Sequence, residues 1–191
     1  MPISFMTRDQ SFILRPCQPS DAEPVYEAVR ESMRELSPWM PWCHRDYGIE
    51  DSRIWFGARP GLWQKGLEYD FLIADRAEGR PLGICSLNNL DRDNRLANLG
   101  YWIRTSQVRR GVATACAPLV ARFGFEELNL NRIEILAAAG NIPSQGLAKK
   151  IGAIREGRLR KRLVVKDHVH DAILFSLLPE DWPLGNGKLI D

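Results

Sequence analysis

A chain of 191 residues, 45% apolar and 26% charged, has the make-up of one globular domain and excludes a disordered or fibrous protein. Its 26 basic and 24 acidic residues leave a net charge of +2, too balanced for a general nucleic-acid or membrane-surface binder. Cys17, Cys43, Cys85 and Cys116 stand far apart without a CxxC pair, so no zinc knuckle, redox pair or other metal site is expected. The N-terminus lacks the basic and apolar regions of a signal peptide, and no apolar run reaches the length of a membrane span. A soluble, cytoplasmic protein with reduced thiols is the reading.

In chain order, Phe12 to Arg15 reads as a first strand stopped by Pro16. Ser20-Asp21 is an N-cap signal for a helix to about Arg34, whose apolar stripe is Val25, Ala28, Val29, Met33 and Leu36. Pro38-Trp39-Met40-Pro41-Trp42-Cys43-His44 forms an aromatic loop, because two prolines forbid regular helix. A second helix is expected from Glu50 to about Gln64. Strands follow at Tyr69 to Ala74 and Arg80 to Leu90, with Glu78-Gly79 turning between them, and then at Arg95 to Arg104. Arg110 to Glu126 reads as a helix with Pro118 inside it, which predicts a kink or a late start. Asn131 to Ala138 is a strand, and Ser144 to Ile151 a short helix closed by Gly152. Ala153 to Val165 and Asp167 to Leu178 make a long antiparallel pair, and the tail beyond Pro179 reads as loosely attached. The order β-α-α-β-β-β-α-β-α-β-β predicts an α+β fold with a mixed, mostly antiparallel sheet flanked by helices. The cluster Arg155, Arg158, Arg160, Lys161, Arg162 and Lys166 reads as the solvated edge of a strand.

The stretch Tyr101 to Thr114 takes a strand through a short loop into a helix that starts at Gly111. The first amides of a helix lack intrahelical partners and lie at the positive end of its dipole, which suits a pyrophosphate. Gly111 and Ala113 leave room for phosphate oxygens, and Arg109 and Arg110 add charge. Walker and dinucleotide-fold glycine patterns are absent from the chain. Thirty residues on, Asn141-Ile142-Pro143-Ser144 is either an N-cap signal or a polar pair presented at the end of a central strand; spacing does not choose between them.

These segments, in register, resemble the GCN5-related N-acetyltransferase (GNAT) superfamily, specifically its RimJ/RimL-like ribosomal-protein-alanine acetyltransferase branch. The matching pieces are the aromatic loop Pro38 to Trp42, the strand Leu99 to Ile103, the helix start Arg109 to Thr114, and Asn141-x-x-Ser144 leading to Ile151-Gly152. His168 to Leu177 resembles the family's last strand. The resemblance covers residues 12 to 178, the expected N-acetyltransferase domain, with 179–191 as a C-terminal tail. It implies the GNAT acyl-CoA N-acyltransferase fold, acetyl-CoA as co-substrate, no metal, and direct attack by a primary amine, such as a protein N-terminus.

Carried over residue by residue, the resemblance places the pyrophosphate on Arg109, Arg110, Gly111, Val112, Ala113 and Thr114, although Val108 stands where Gln or Arg is usual. It places the pantetheine arm on the backbone of Trp102 and Ile103, and an oxyanion-binding amide on a bulged strand near Tyr101 to Trp102. Ser144 takes the role of proton donor to the leaving thiolate, with Asn141 beside it binding cofactor or substrate. Trp39, Trp42 and His44 line the acceptor pocket or, on the plainer reading, the two tryptophans cap the core. Asn98 replaces the strand Glu of many relatives and cannot serve as a base; a water relay to Glu134, Asp70 or His44 is one substitute, and a purely structural role for each of those three is the plainer reading. The alternatives are acetylation of a small amine, a cofactor-binding relative without catalysis, and, remotely, a helix-turn-helix DNA reader around Gln145 to Gly152. That last needs a second helix where strands are expected. A monomer or homodimer fits the family; no nucleic-acid or membrane partner is expected.

Overall fold

The computed structural model describes residues 3–181. Eight strands make one sheet in the order β1-β2-β3-β4-β5-β6-β8-β7. They are β1 (Phe5–Met6), β2 (Phe12–Pro16), β3 (Tyr69–Asp75), β4 (Pro81–Asp91), β5 (Leu96–Ile103), β6 (Arg132–Ala138), β7 (Ile154–Val165) and β8 (His168–Leu177). The helices are α1 (Ala22–Leu36), α2 (Ile49–Gln64), α3 (Val112–Glu126) and α4 (Ile142–Lys150). The expected order and the mixed α+β class are observed from Phe12 onward. The two-residue β1, too short to leave a periodic signal, adds an edge by pairing Phe5 with Leu14. Of the expected tail, Pro179–Asp181 form a short 3-10 turn and residues 182–191 lie outside the described residues.

The period-two alternation of the strands divides the core between the two faces. Leu14, Phe71, Ile73, Leu87, Leu99 and Ile133 join Cys116, Val120 and Phe123 of α3 and Ala148 of α4. Leu72, Ile84 and Trp102 join Val25, Ala28 and Val29 of α1 and Phe56 of α2 on the other face. All four cysteines are buried and unbridged. Burial pushes the Cys85 and Cys116 thiols well above their ordinary range, so they behave as small apolar side chains.

Within α1, Ser32 is buried on the inner side beside the expected stripe, and Met33 packs partly buried against the same cluster. The Ser32 hydroxyl donates to the Ala28 carbonyl at 2.7 Å and accepts from the Thr105 amide at 2.9 Å. Glu31 beside it accepts from Ser106 N at 2.9 Å and pairs with Arg104. A buried polar group is tolerated because it is satisfied, and the bonds tie α1 to the turn that follows β5. Element boundaries differ from expectation by a residue or two in most places, and those near the site have identifiable causes. α3 starts at Val112 rather than Arg110, since Gly111 is its left-handed N-cap with φ 80°. It then runs through Pro118 to Glu126, so Pro118 does not interrupt it; the Thr114 carbonyl simply loses its N–H partner. α4 starts at Ile142 rather than Ser144, and Pro16 belongs to β2, opposite Phe71 on its neighbour.

Candidate active site

Every neighbouring pair in the sheet is antiparallel except β5 and β6. These two pair only at Leu96–Arg132, Ala97–Ile133 and Asn98–Glu134, although β5 continues to Ile103 and β6 to Ala138. Beyond Asn98 the strands part, and the sheet contains a fork that opens toward the C-terminal ends of both. The N-termini of α3 and α4 follow those two ends in the chain. In open sheets with parallel strands, ligands bind beyond the strands' carboxyl ends.

Asn98 stands at the apex. Its Nδ2 donates to Asn88 Oδ1 at 2.9 Å, and its Oδ1 accepts from the Leu136 amide at a long 3.4 Å. The side chain thereby takes a β6 amide just where the ladder stops. Sequence reasoning treated Asn98 only as a missing base and did not see this wedge. Asparagine is depleted in strands, so Asn88, Asn89 and Asn98 within two expected strands were the available signal, and Asn88 and Asn98 are the pair that meet.

The backbone phase of β5 decides which peptide groups face the fork. Arg104 N donates to Leu82 O, so residues 104, 102 and 100 turn their N–H and C=O toward β4. Leu99, Tyr101 and Ile103 turn theirs into the gap. This corrects the expectation for Trp102: its peptide group belongs to the β4–β5 ladder, opposite Ile84, and its ring is what reaches the cavity. The expected bulge is also displaced. It lies in β4, where the register slips between Asn88 and Asp91 and Asn89 has φ 51°, and β5 pairs regularly from Asn98 to Ile103.

A cavity of about 760 Å³ runs from the α1/α2 side of the sheet through the fork to α4, within the usual range for ligand pockets. Trp39, Trp42, His44, Tyr101, Trp102, Asn141 and Ser144 all line it. Tyr101 points to the α4 side, where its hydroxyl lies 3.1 Å from the Ser144 carbonyl oxygen and 3.2 Å from Ser144 Oγ. Burial raises the Tyr101 phenol to about 12, overriding the opposite effect of the Ser144 bond, so it stays protonated near neutrality. Asn141 is the N-cap of α4, its Oδ1 accepting from Ser144 N at 3.2 Å. Capping and facing the cavity are both true of it, so the two readings of Asn141 do not exclude one another.

The aromatic loop forms the opposite wall. Trp42 is 37% exposed, with its ring 6.1 Å from Trp102 and 5.8 Å from Tyr47. Trp39 reaches across to the turn after β6, so that a Cβ on Gly140 would come within 3.1 Å of its ring. Neither tryptophan is a buried core residue. Behind them Arg59, stacked 4.1 Å over the Trp55 ring, pairs with Glu68 and Asp70.

Of the three residues considered for a water relay, Asp70 is buried and holds Ser86 at 2.6 Å and Arg59 at 3.0 Å. Burial raises its pKa despite both partners, but its two oxygens are already engaged in holding the cavity floor. Glu134 pairs with Arg132 at 2.8 Å and does not line the cavity. His44 does line it, half-exposed, with Nε2 3.9 Å from Asp51 Oδ2.

Ile103, Arg109, Arg110, Gly111, Val112, Ala113 and Thr114 lie outside the cavity lining, on the rim that continues from β5 into α3. Arg109 (φ 63°) and Gly111 (φ 80°) are both left-handed, which turns the chain sharply into the helix. The amides of Val112, Ala113 and Thr114 have no intrahelical partner by helix geometry. Arg110 is held by Gln107 at 2.7 Å, and Val108 is 47% exposed. Residues 154 to 165 form a strand after Gly152, which removes the second helix that a helix-turn-helix would need.

Residues 11–154 match the family model described as an acetyltransferase (GNAT) domain. YdaF of Bacillus subtilis (strain 168) is 33% identical over 182 residues, covering 91% of this chain and 94% of that protein. The ribosomal-protein-serine acetyltransferase of Escherichia coli (strain K12) is 23% identical, covering 87% and 92%. Among solved structures, Mycobacterium smegmatis RimJ in complex with CoA-disulfide superposes with a TM-score of 0.83 at 23% identity, covering 96% of this chain and 88% of that one.

Proposed function

Starting from the chain's membership of the GNAT acetyltransferases, in their RimJ/RimL-like branch, we propose that it transfers the acetyl group of acetyl-CoA to the N-terminal α-amine of a protein. That it is an N-acetyltransferase follows from the family; the donor and the acceptor are our reading. The observation that carries it is the fork, with the Tyr101–Ser144 pair at one side and a cavity lined from both faces of the sheet.

Each part of the reaction has a candidate group. The free peptide groups of Tyr101 and Ile103 pair with the amide-bearing pantetheine arm as a neighbouring strand would. The amides from Gly111 to Thr114, with Arg109 and Arg110, take the diphosphate. Asn141, with Nδ2 not used in capping, binds beside them. The amine enters past Trp39, Trp42 and His44 and attacks the thioester carbon. The Tyr101 amide faces the fork and is placed to donate to the oxyanion that forms. The tetrahedral intermediate expels thiolate, and Ser144 supplies it with a proton.

The missing strand Glu matters less for an α-amine than for a lysine. With a pKa of about 8, an α-amine is roughly one-tenth neutral at pH 7, against well under one part in a thousand for a lysine at about 10.4. His44, reached directly or through water, takes the proton lost on attack. The unit that does this is residues 12–178.

A second reading has one observation behind it. Asp51, Glu68 and Asp70 line the cavity, and Arg59 pairs with Glu68 and Asp70 but not with Asp51, which favours a small polycationic amine. A thiol-release assay separates the two. Peptides with free Ser or Ala termini are expected to be acetylated faster than polyamines or aminoglycosides. Turnover of polyamines alone refutes the protein reading, and the absence of thiol release with every amine tested marks a binding protein without catalysis.

A further inference from the structure

β7 is the last strand of the sheet, and its pairing with β8 breaks in an unusual place. Leu159 faces Ala172 and Leu163 faces His170, so Arg160, Lys161 and Arg162 are opposed by Asp171 alone. Lys161 is left-handed, with φ 52°. Asp171 clamps the bulge, accepting the Lys161 amide on Oδ1 and Arg158 Nε on Oδ2, each at 2.8 Å. The three cations on the bulge are exposed, and none makes an ion pair among the described residues. From 154 to 171 there are six Lys or Arg and three carboxylates, a local excess of three in a chain whose total excess is two.

Three adjacent like charges repel one another, and a bulge gives up ladder bonds. Neither feature helps the fold, so a partner is the better account of both. The next residues along β7, Leu163, Val164 and Val165, line the cavity. The exposed apolar residues of the hairpin are aliphatic: Ile154, Val164 and Val169. Single-stranded nucleic acid is gripped by basic grooves studded with stacking aromatics; the rings nearest the bulge are His168 and His170, and His170 already packs against Trp39. Cations beside aliphatic patches suit an acidic polypeptide.

We propose that the Arg160–Arg162 bulge docks an acidic segment of the polypeptide whose N-terminus enters the cavity. The proposal rests on the protein-acceptor reading and names what such an acceptor carries downstream of its terminus. Two peptides sharing their first residues, one continuing in Asp and Glu and one neutral, are compared on the wild type and on R160A/K161A/R162A. The variant is expected to lose about tenfold in kcat/KM on the acidic peptide and nothing on the neutral one, with the wild-type advantage fading as salt rises. Equal rates on the acidic peptide overturn the proposal.

Binding of the acidic peptide with its terminus already acetylated, followed by fluorescence anisotropy, is read separately. Bulge-dependent binding without acetylation of any free peptide supports the docking surface and removes the acceptor reading. An RNA oligonucleotide that binds the bulge more tightly than the blocked peptide assigns the surface to nucleic acid and sinks the inference.

Discussion

Replacing Tyr101 by Phe removes one hydroxyl and leaves the ring. That hydroxyl makes bonds of 3.1 and 3.2 Å to the carbonyl and hydroxyl oxygens of Ser144, between neutral groups in a half-buried setting. Such a bond is worth about 1 kcal/mol net, which is roughly a fivefold factor if it is felt in the transition state. Ser144→Ala removes the proposed acid itself, and general-acid effects run to about 10² or more. Because the Tyr101 hydroxyl reaches the chemistry only through Ser144, the losses should not multiply. The double variant is expected to have the kcat of S144A alone, measured by thiol release at saturating acetyl-CoA and peptide. KM for acetyl-CoA should move little in either single variant. If Y101F costs another fivefold in the S144A background, the tyrosine acts independently and the coupling argument fails.

Three further outcomes are expected. A Cβ at Gly83 would sit 2.1 Å from the Trp102 carbonyl oxygen and 3.0 Å from Ile103 Cα, both backbone atoms. Gly83→Ala should therefore cost about 3 kcal/mol and lower Tm by on the order of 10 °C; an unchanged melting curve would show that the β4–β5 contact yields easily. A Cβ at Gly111 meets open space, so only φ and charge matter there. Asn and Asp both tolerate the left-handed region, so calorimetry should find coenzyme A binding kept in Gly111→Asn and lost in Gly111→Asp; equal affinities would place the diphosphate elsewhere. Glu156 is held down to about 2 by Arg132, first, and by Ser176. Its folded value lies below the ordinary carboxylate value of 4.5, so its stabilising effect is complete above about pH 4.5 and disappears as pH falls through about 2. Acid titrations of the wild type and Glu156→Gln should converge across that window, and parallel curves would refute the assignment.

The elements were legible because their signals are local. Val25, Ala28, Val29 and Leu36 mark the inner face of α1, and Gly152 with φ 89° closes α4 as its position implied. Pro118 does not break α3, because tertiary packing of Cys116, Val120 and Phe123 outweighs one lost bond. The start of α4 was placed at Ser144 because Asn and Ser are both favoured caps; Pro143 in the first turn is the residue that points to Asn141. The fork itself was not readable. It depends on Asn98 meeting Asn88 and Leu136, contacts that span 10 and 38 residues. Nor was the phase of β5 readable: whether Tyr101 or Trp102 offers its peptide to the gap is decided by the Arg104–Leu82 bond. The clustered Arg and Lys were expected at a strand edge and lie on one, but Asp171's hold on the bulge had no trace in composition.

The parting of β5 from β6 also has a consequence for traffic. A slot through a sheet has two doors, one beside α1 and α2 and one beside α4. On the proposed function, a nucleotide thioester and a polypeptide would each have its own door, so that neither arrival would obstruct the other and the spent nucleotide could depart with the modified chain still held.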